Sequence, residues 1–463
     1  MSYVKSTVGF RSRSRRLRAR KRRRVAFAIS LLFAVGTVWL VAHAHSASRP
    51  PVSVAERLSN PLAERTFEAA QLPVWTADDR KRLWENLHGA FARAIANSKG
   101  WSFAVVGADG GTIFDDRGER AVVPASVQKL IVAASALDAL GPMYRFHTMF
   151  AAREGVGDDG ILDSNLWLIG SGDPSLQSVD LRNGIGMLAR SGLRRISGGV
   201  VVDATALTGP ELNPHWDPND NGQDYAAPVS AISLDGNTIE SHQNVGGGEQ
   251  SVWTPMQDVS SYVAERTRTL LVSRRIVAAM PPSVGAAPLD TVVLWDHRSP
   301  PLRALEAHML FVSDNHYAEQ LLRTVGEEAA GSSNDTGGIE AERRFLDRLG
   351  IPTPGLRLFD GSGLSPGNRI AAITLARLLS TREPSLYLLL PLGGREGTLE
   401  DYDFTTALGR VRAKSGHLSN VSSLAGYVNT LRHGRVAFAF MVNGSPGDPD
   451  AAIVRAVDRL VEF

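Results

Sequence analysis

Cysteine is absent from all 463 residues. That excludes disulfides, thiolate metal sites and thiol nucleophiles, and it suits an exported bacterial protein that avoids oxidative side reactions. No His-Glu-x-x-His is present, so metal hydrolysis lacks its ligand pair. Lysine is nearly missing: six stand against 44 arginines, and beyond residue 100 only Lys129 and Lys414 occur beside 29 arginines. A chain that takes its cations from arginine has kept, at two places, the cation that can lose its proton or act as a compact point charge.

The formal net charge of +2 hides an asymmetry, because ten of the fifty basic residues lie between Arg11 and Arg24. The remainder is net negative and has no nucleic-acid signature. Residues 1–24 are therefore read as a basic cytoplasmic tail. Val25 to Ala42 follows without a charge, long enough at 1.5 Å per residue to cross about 27 Å of hydrocarbon. Residues 25–43 are expected to be a transmembrane anchor or a signal segment. A positive flank keeps the N-terminus inside and delivers the rest outside. Ala42-His43-Ala44 resembles a cleavage site, but the apolar stretch is long for a signal peptide, which favours an inner-membrane anchor over secretion after cleavage. Residues 44–62, with Ser48, Pro50, Pro51 and Ser53, read as a linker.

Helical spacing covers Glu85 to Ala96, and Trp101 to Val106 and Thr112 to Phe114 read as strands about a tight turn. Val127 to Leu140, stopped by Gly141-Pro142, is the clearest helix, with Ser126 at its start. From Phe146 to about residue 290 short β-branched runs alternate with Gly and Asp. Helical spacing returns at Leu302 to Val325, Ile339 to Leu349 and Ala371 to Leu379. Strand-like segments Val421 to Val428 and Val436 to Asn443 precede a last amphipathic helix, Ala451 to Phe463. The predicted fold class is α+β, with a catalytic part over residues 63–146 and 289–463 and a β-rich inserted domain over 147–288. Gly155-Val156-Gly157-Asp158-Asp159-Gly160 has the form of a dinucleotide loop, but its two Asp would repel a pyrophosphate and no helix follows, so a hairpin turn is the reading.

Both late lysines lie in motifs. Ser126-Val127-Gln128-Lys129 puts a hydroxyl on the first turn of a helix and an amine three residues later on the same face. Serine needs a base to take its proton, and lysine serves only if its pKa falls from about 10.4 toward 7. Lys414-Ser415-Gly416 opens an apolar strand pattern; it offers a cation and a hydroxyl to a carboxylate, and the glycine admits the substrate backbone. A random lysine is followed by a hydroxyl and then a glycine only about once in a hundred. The third piece is Ser313-Asp314-Asn315, between two apolar helical stretches. Ser332-Ser333-Asn334 has the same form but lies in a Gly-, Ser- and Asp-rich stretch.

Ser-x-x-Lys, Ser-Asp-Asn and Lys-(Thr or Ser)-Gly, in that order, resemble the signature set of penicillin-binding proteins and serine β-lactamases. Leu168 to Pro174, Tyr225 to Ser230, Asp360 to Ser365 and Gly409 to Lys414 further resemble the class C low-molecular-mass penicillin-binding proteins, the D-alanyl-D-alanine carboxypeptidase/endopeptidase family (peptidase family S13). The resemblance implies a β-lactamase/transpeptidase-like domain and peptidoglycan stem peptides as substrate. It implies β-lactams as covalent inhibitors, and neither cofactor nor metal. It implies Ser126 as nucleophile, Lys129 as base and Ser313 as proton relay. Asn315 would hold the substrate amide, Lys414 and Ser415 the carboxylate, and Gly416 the substrate backbone. The N–H groups of Ser126 and His417 would stabilise the oxyanion, and Lys414 would be the cation that lowers the Lys129 pKa. Two departures stand out: Ser415 where the family usually has Thr, and His417 where a small hydroxyl residue is usual. The rivals are a catalytically idle envelope scaffold and a serine β-lactamase; for the latter, Gly209 stands where the deacylating glutamate would be.

Overall fold

The computed structural model describes residues 73–245 and 248–463. The expected tail (1–24), membrane segment (25–43) and linker (44–62) lie outside the described residues. Among the described residues, no helix is long and apolar enough to cross a membrane.

Thr76 and Asp79 form a capping box that starts the first helix, α1 (Ala77–Ile95), longer at its N-terminus than the apolar spacing predicts because the cap and the first-turn acids carry it. Then come β1 (Gly100–Val106), β2 (Thr112–Asp116), β3 (Ala121–Val122), one 3-10 turn (Ala125–Gln128) and α2 (Lys129–Leu140). The insertion runs through β4 (His147–Ala152), β5 (Ile161–Leu162), β6 (Leu166–Gly170), α3 (Ser178–Arg190), β7 (Arg195–Ile196) and β8 (Val200–Asp203). It continues through β9 (Thr238–Val245), β10 (Gly248–Pro255), α4 (Val259–Ser273), β11 (Val277–Ala278), β12 (Ser283–Val284) and β13 (Val292–Arg298). The chain then forms α5 (Leu302–Val312), α6 (Asn315–Ala330), α7 (Asp335–Arg348), β14 (Ile370–Ala371), α8 (Ala372–Leu386), β15 (Val411–Leu418), β16 (Val421–Asn429), β17 (Arg435–Asn443) and α9 (Pro449–Val461).

The catalytic part centres on an antiparallel sheet in the order β15-β16-β17-β1-β2. One register row runs Ser415, Leu424, Phe440, Phe103, and these large residues face α1 and α9, whose Leu83, Leu87, Phe91, Ile453, Val457 and Leu460 complete a fully buried core. Phe91 stacks on Phe103 at 3.9 Å between ring centroids, and Phe440 meets Phe103 edge-on at 5.8 Å. The next row, Lys414, Ala425, Ala439, Ala104, turns to the opposite face, where three alanines let α8 lie close. The alternation of the strand thus sets Lys414 and Gly416 on the face toward α2, while the Ser415 hydroxyl meets Thr398 and His417 meets Asp450 of α9.

The insertion builds a second sheet, β12-β8-β6-β4-β13, packed against α3 and α4 through Leu181, Ile185, Leu188, Val259, Val263 and Leu271. It is richer in helix than the punctuated β-branched runs predict. β6 and β8 pair in parallel across α3, and β8 and β12 pair in parallel across α4, so crossover helices are required. Asn183, Gly184 and Gly186 weaken the helical signal of α3, yet Gly184 has a packing reason: a Cβ there would lie 2.8 Å from the Trp295 ring. The turn at Gly157–Ile161 is tight, with Gly157 N donating to Ile161 O at 2.9 Å, but β5 beyond it pairs with β7 and not back onto β4, which corrects the hairpin expectation. β13 pairs with β4 from Val292↔Ala152 to Arg298↔His147, so residues 292–298 belong to the insertion's sheet although the sequence assigns 289 onward to the catalytic part; we propose the return at about residue 299.

Between the two sheets, the stretch from Ala204 to Asn237 is fastened to α6. Arg323, buried, pairs with Asp335 at 2.6 Å and donates to the carbonyls of Thr208 and Pro210. Gln320 Nε2 donates to Ser230 O at 2.8 Å, and His316 Nε2 meets Ser233 Oγ at 2.7 Å. The insertion is therefore fastened to the helix that follows Ser313-Asp314.

Candidate active site

Ser126 lies in the 3-10 turn and Lys129 opens α2 directly behind it, so local chain geometry sets their separation: Lys129 Nζ stands 2.9 Å from Ser126 Oγ. Ala125, ahead of the serine, is held at φ +52°, in the left-handed region. Two glycines grip this turn. A Cβ at Gly363 would sit 2.0 Å from Ala125 O, and one at Gly416 would sit 2.8 Å from Ser126 N. Ser423 Oγ, from the neighbouring strand, donates to Pro124 O at 2.6 Å and so ties the sheet to the same turn.

Lys129 is fully buried and donates further to Asn315 Oδ1 at 2.7 Å and to Ser362 O at 2.8 Å. Burial pulls its pKa from 10.5 down to about 8, against the opposing pull of Glu319, Asp360 and Asp314. Lys414, fully buried in β15, donates to Ser415 O at 2.6 Å. Its pKa is lowered well below the ordinary value by burial first and then by the charge of Lys129. The sequence implies that a protonated Lys414 depresses Lys129; in the structure burial is the cause that lowers Lys129, and Lys414 is itself lowered by burial and by Lys129.

The loop Ser313-Asp314 joins α5 to α6. Ser313 adopts φ +66° as the C-cap of α5, and Asp314 caps α6 by accepting from Tyr317 N. One residue further on, Asn315 spends its amide on Lys129 and on Tyr225 O, to which Nδ2 donates at 2.9 Å; one acceptor lone pair is left for a substrate N–H. Ser415 Oγ donates to Thr398 Oγ1 at 2.8 Å. The half-exposed side chain of His417 turns away from Ser126 to pair with Asp450 at 2.9 Å, beside Tyr402 OH at 3.3 Å. Ser332-Ser333-Asn334 lies apart: Asn334 caps α7 through Gly337 N.

Five contributors carried no assigned role in the sequence reading. Glu319, one helical turn beyond Asn315, accepts from Ser362 N at 2.8 Å and Gly361 N at 3.1 Å, and thereby holds the carbonyl that Lys129 uses. Asp360 accepts from Trp216 Nε1 at 3.1 Å, Gly363 N at 3.0 Å, Ser365 N at 2.6 Å and Asn368 Nδ2 at 2.7 Å. Burial, and then Asp360, push the Glu319 carboxyl from 4.5 up to about 8. The others are Ser362, Gly363 and Thr398. Asp360 to Ser365 lies in a segment that drew notice by resemblance, but nothing in Glu319 or Thr398 as sequence distinguishes them from ordinary surface residues.

Sheet, helices and the serine–lysine pair between them define the β-lactamase/transpeptidase-like class. Within it, the chain belongs to the D-Ala-D-Ala carboxypeptidase 3 (S13) family, whose profile matches residues 90–273 and 245–462. It is 29% identical over 431 residues to a D-alanyl-D-alanine carboxypeptidase of Actinomadura sp. (strain R39), covering 77% of this chain and 80% of that one. It is 32% identical over 347 residues to a carboxypeptidase of Mycobacterium tuberculosis, covering 70% and 71%. The crystal structure of penicillin-binding protein 4 of Haemophilus influenzae superposes with a TM-score of 0.73 over 81% of this chain and 98% of that one, at 23% identity, and shows the fold.

Gly363→Ala should place a methyl against the Ala125 carbonyl at a residue with φ +83°, displacing the nucleophile turn. A misplacement of this order costs about 100-fold in rate. Circular dichroism should stay native while acylation by a β-lactam falls by that factor; unchanged acylation would show that the grip is not needed.

Proposed function

We propose that the chain is a serine-type D-Ala-D-Ala carboxypeptidase that trims the terminal D-alanine of peptidoglycan stem peptides and cleaves D-Ala cross-links by the same chemistry. The observation that carries this reading is the 2.9 Å approach of Ser126 Oγ to an amine whose pKa is held at about 8. Lys129 takes the hydroxyl proton, and Ser126 Oγ bonds to the carbonyl carbon of the penultimate D-alanine. The N–H groups of Ser126 and His417 hold the oxyanion. The C–N bond then breaks as the proton on Lys129 passes through Ser313 to the leaving amine. Water hydrolyses the ester and returns the proton to Ser126. Asn315 holds the substrate amide, while Lys414 and Ser415 hold the carboxylate. A substrate carboxylate would raise the Lys414 pKa by pairing with it, since an opposite charge favours the charged form.

Acylation needs the unprotonated Lys129. Below a pKa of about 8 the rate should fall about tenfold per pH unit, and above it the rate should level off. Glu319→Gln removes an anion that raises the Lys129 pKa, so the midpoint should move to lower pH. A fluorescent penicillin should bond covalently to the wild-type protein and not to Ser126→Ala, and released D-alanine should follow the same pattern. Equal labelling of both proteins would refute the assignment, and a midpoint unmoved by Glu319→Gln would refute the role given to the carboxylate.

We further propose that the enzyme acts on the extracytoplasmic side, in the periplasm where one exists, held to the inner membrane by residues 25–43. The uncharged run Val25 to Ala42 behind a basic flank supports this. Membranes washed with carbonate should retain the full chain and release one that starts at residue 63; full release of both would contradict anchoring.

A further inference from the structure

Residues 73–463 hold 36 Lys and Arg against 45 Asp and Glu, a surface that repels polyanions. Two stretches of the insertion break that balance. Residues 181–202 contain four arginines and no acid, and residues 266–289 contain four arginines and no acid. The fold joins them. β7 and β11 pair in parallel with Arg195 opposite Val277, and Val277 N donates to Arg194 O at 3.1 Å, which sets Arg194 and Arg195 beside Arg274 and Arg275. Across α3, the Arg274 guanidinium comes within 4.0 Å, and that of Arg190 within 3.5 Å, of where a Cβ at Gly186 would be. Of the eight, Arg268 is neutralised by Glu265.

At the centre of this face, between α3 and α4, is a cavity of about 190 Å³ lined by Arg182, Ile185, Leu270, Ser273 and Arg274. Among the described residues neither Arg182 nor Arg274 has a side-chain hydrogen bond or ion pair. Ile185 and Leu270 are buried beneath it, while Arg182 and Arg274 are exposed and open to a ligand from solution. Guanidinium groups bind carboxylates through paired N–H donors.

We infer that the α3–α4 face of the insertion binds the carboxylate-bearing peptidoglycan polymer at a distance from the serine, taking a free carboxylate in the Arg182–Arg274 cavity. The inference rests on the proposed substrate: a polymer that repeats stem-peptide carboxylates offers the anionic charge that this face complements, whereas the rest of the described surface opposes it. Engagement there raises the effective concentration of neighbouring stem peptides at Ser126 without entering the chemistry.

The test is co-sedimentation of the full chain in detergent with purified insoluble peptidoglycan, set beside vesicles of anionic phospholipid. Arg182→Glu/Arg274→Glu is compared with wild type and with Arg182→Lys/Arg274→Lys; the basic run at Arg11 to Arg24 is common to all three. The wild type should sediment with peptidoglycan and release it as salt rises from about 0.01 M to about 1 M, over which the screening length falls from about 30 Å to about 3 Å. The glutamate pair should bind about tenfold less or weaker still, with the lysine pair between. Labelling by fluorescent penicillin should be equal in all three, which shows that the variants are folded. Equal binding by wild type and glutamate pair would overturn the inference. So would loss of vesicle binding with peptidoglycan binding intact, which would make the face a membrane contact. Failure of the wild type to label would instead sink the proposed function, independently of the sedimentation result.

Discussion

The hydrogen bond between Lys129 Nζ and Ser126 Oγ moves a proton only when the amine arrives uncharged, and its surroundings pull in both directions. Burial lowers the amine, while Glu319, Asp360 and Asp314 raise it. The conflict is settled because the carboxylates are buried as well. Burial pushes Glu319 up to about 8, which weakens the anion that would otherwise keep Lys129 protonated. Behind it the Glu342 carboxyl, buried with neither oxygen hydrogen-bonded, is pushed well up by burial and then by Glu319 and Asp360. The base is drawn toward neutrality because its burial outweighs the pull of the carboxyls around it.

Position matters as much as charge. The 3-10 turn that carries Ser126 has a left-handed Ala125, and such strain persists only where neighbours over-determine it. Gly363 comes from the loop that Asp360 and Glu319 hold, and Gly416 from the edge strand, so the carboxylate network and the sheet both bear on the nucleophile. The same loop supplies the Ser362 carbonyl to Lys129. Electrostatics and geometry therefore share one set of residues.

Much of this was legible from the chain because the decisive pairs are local. Ser126 and Lys129 are three residues apart, and Lys414 to His417 lie on one strand whose alternation sorts their side chains. The scarcity of lysine marked both positions. What could not be read depends on contacts between distant segments: Gln128 meets Asp360 across 232 residues, and Asn315 meets Tyr225 across 90. Glu319 looked like one more exposed acid of an amphipathic helix until the loop at Gly361 folded over it. In the insertion, the helix α3 was hard to read because Gly184 serves packing against Trp295, and a helix made permissive for contact reads as a poor helix.

The central claim concerns one proton, so it is tested by watching that proton. With ¹⁵N-labelled lysine, the Nζ resonance of Lys129, assigned by its loss in Lys129→Arg, should titrate with a midpoint of about 8. A midpoint near the ordinary lysine value of about 10.4 would mean that the amine stays charged at working pH and that some other group takes the serine proton.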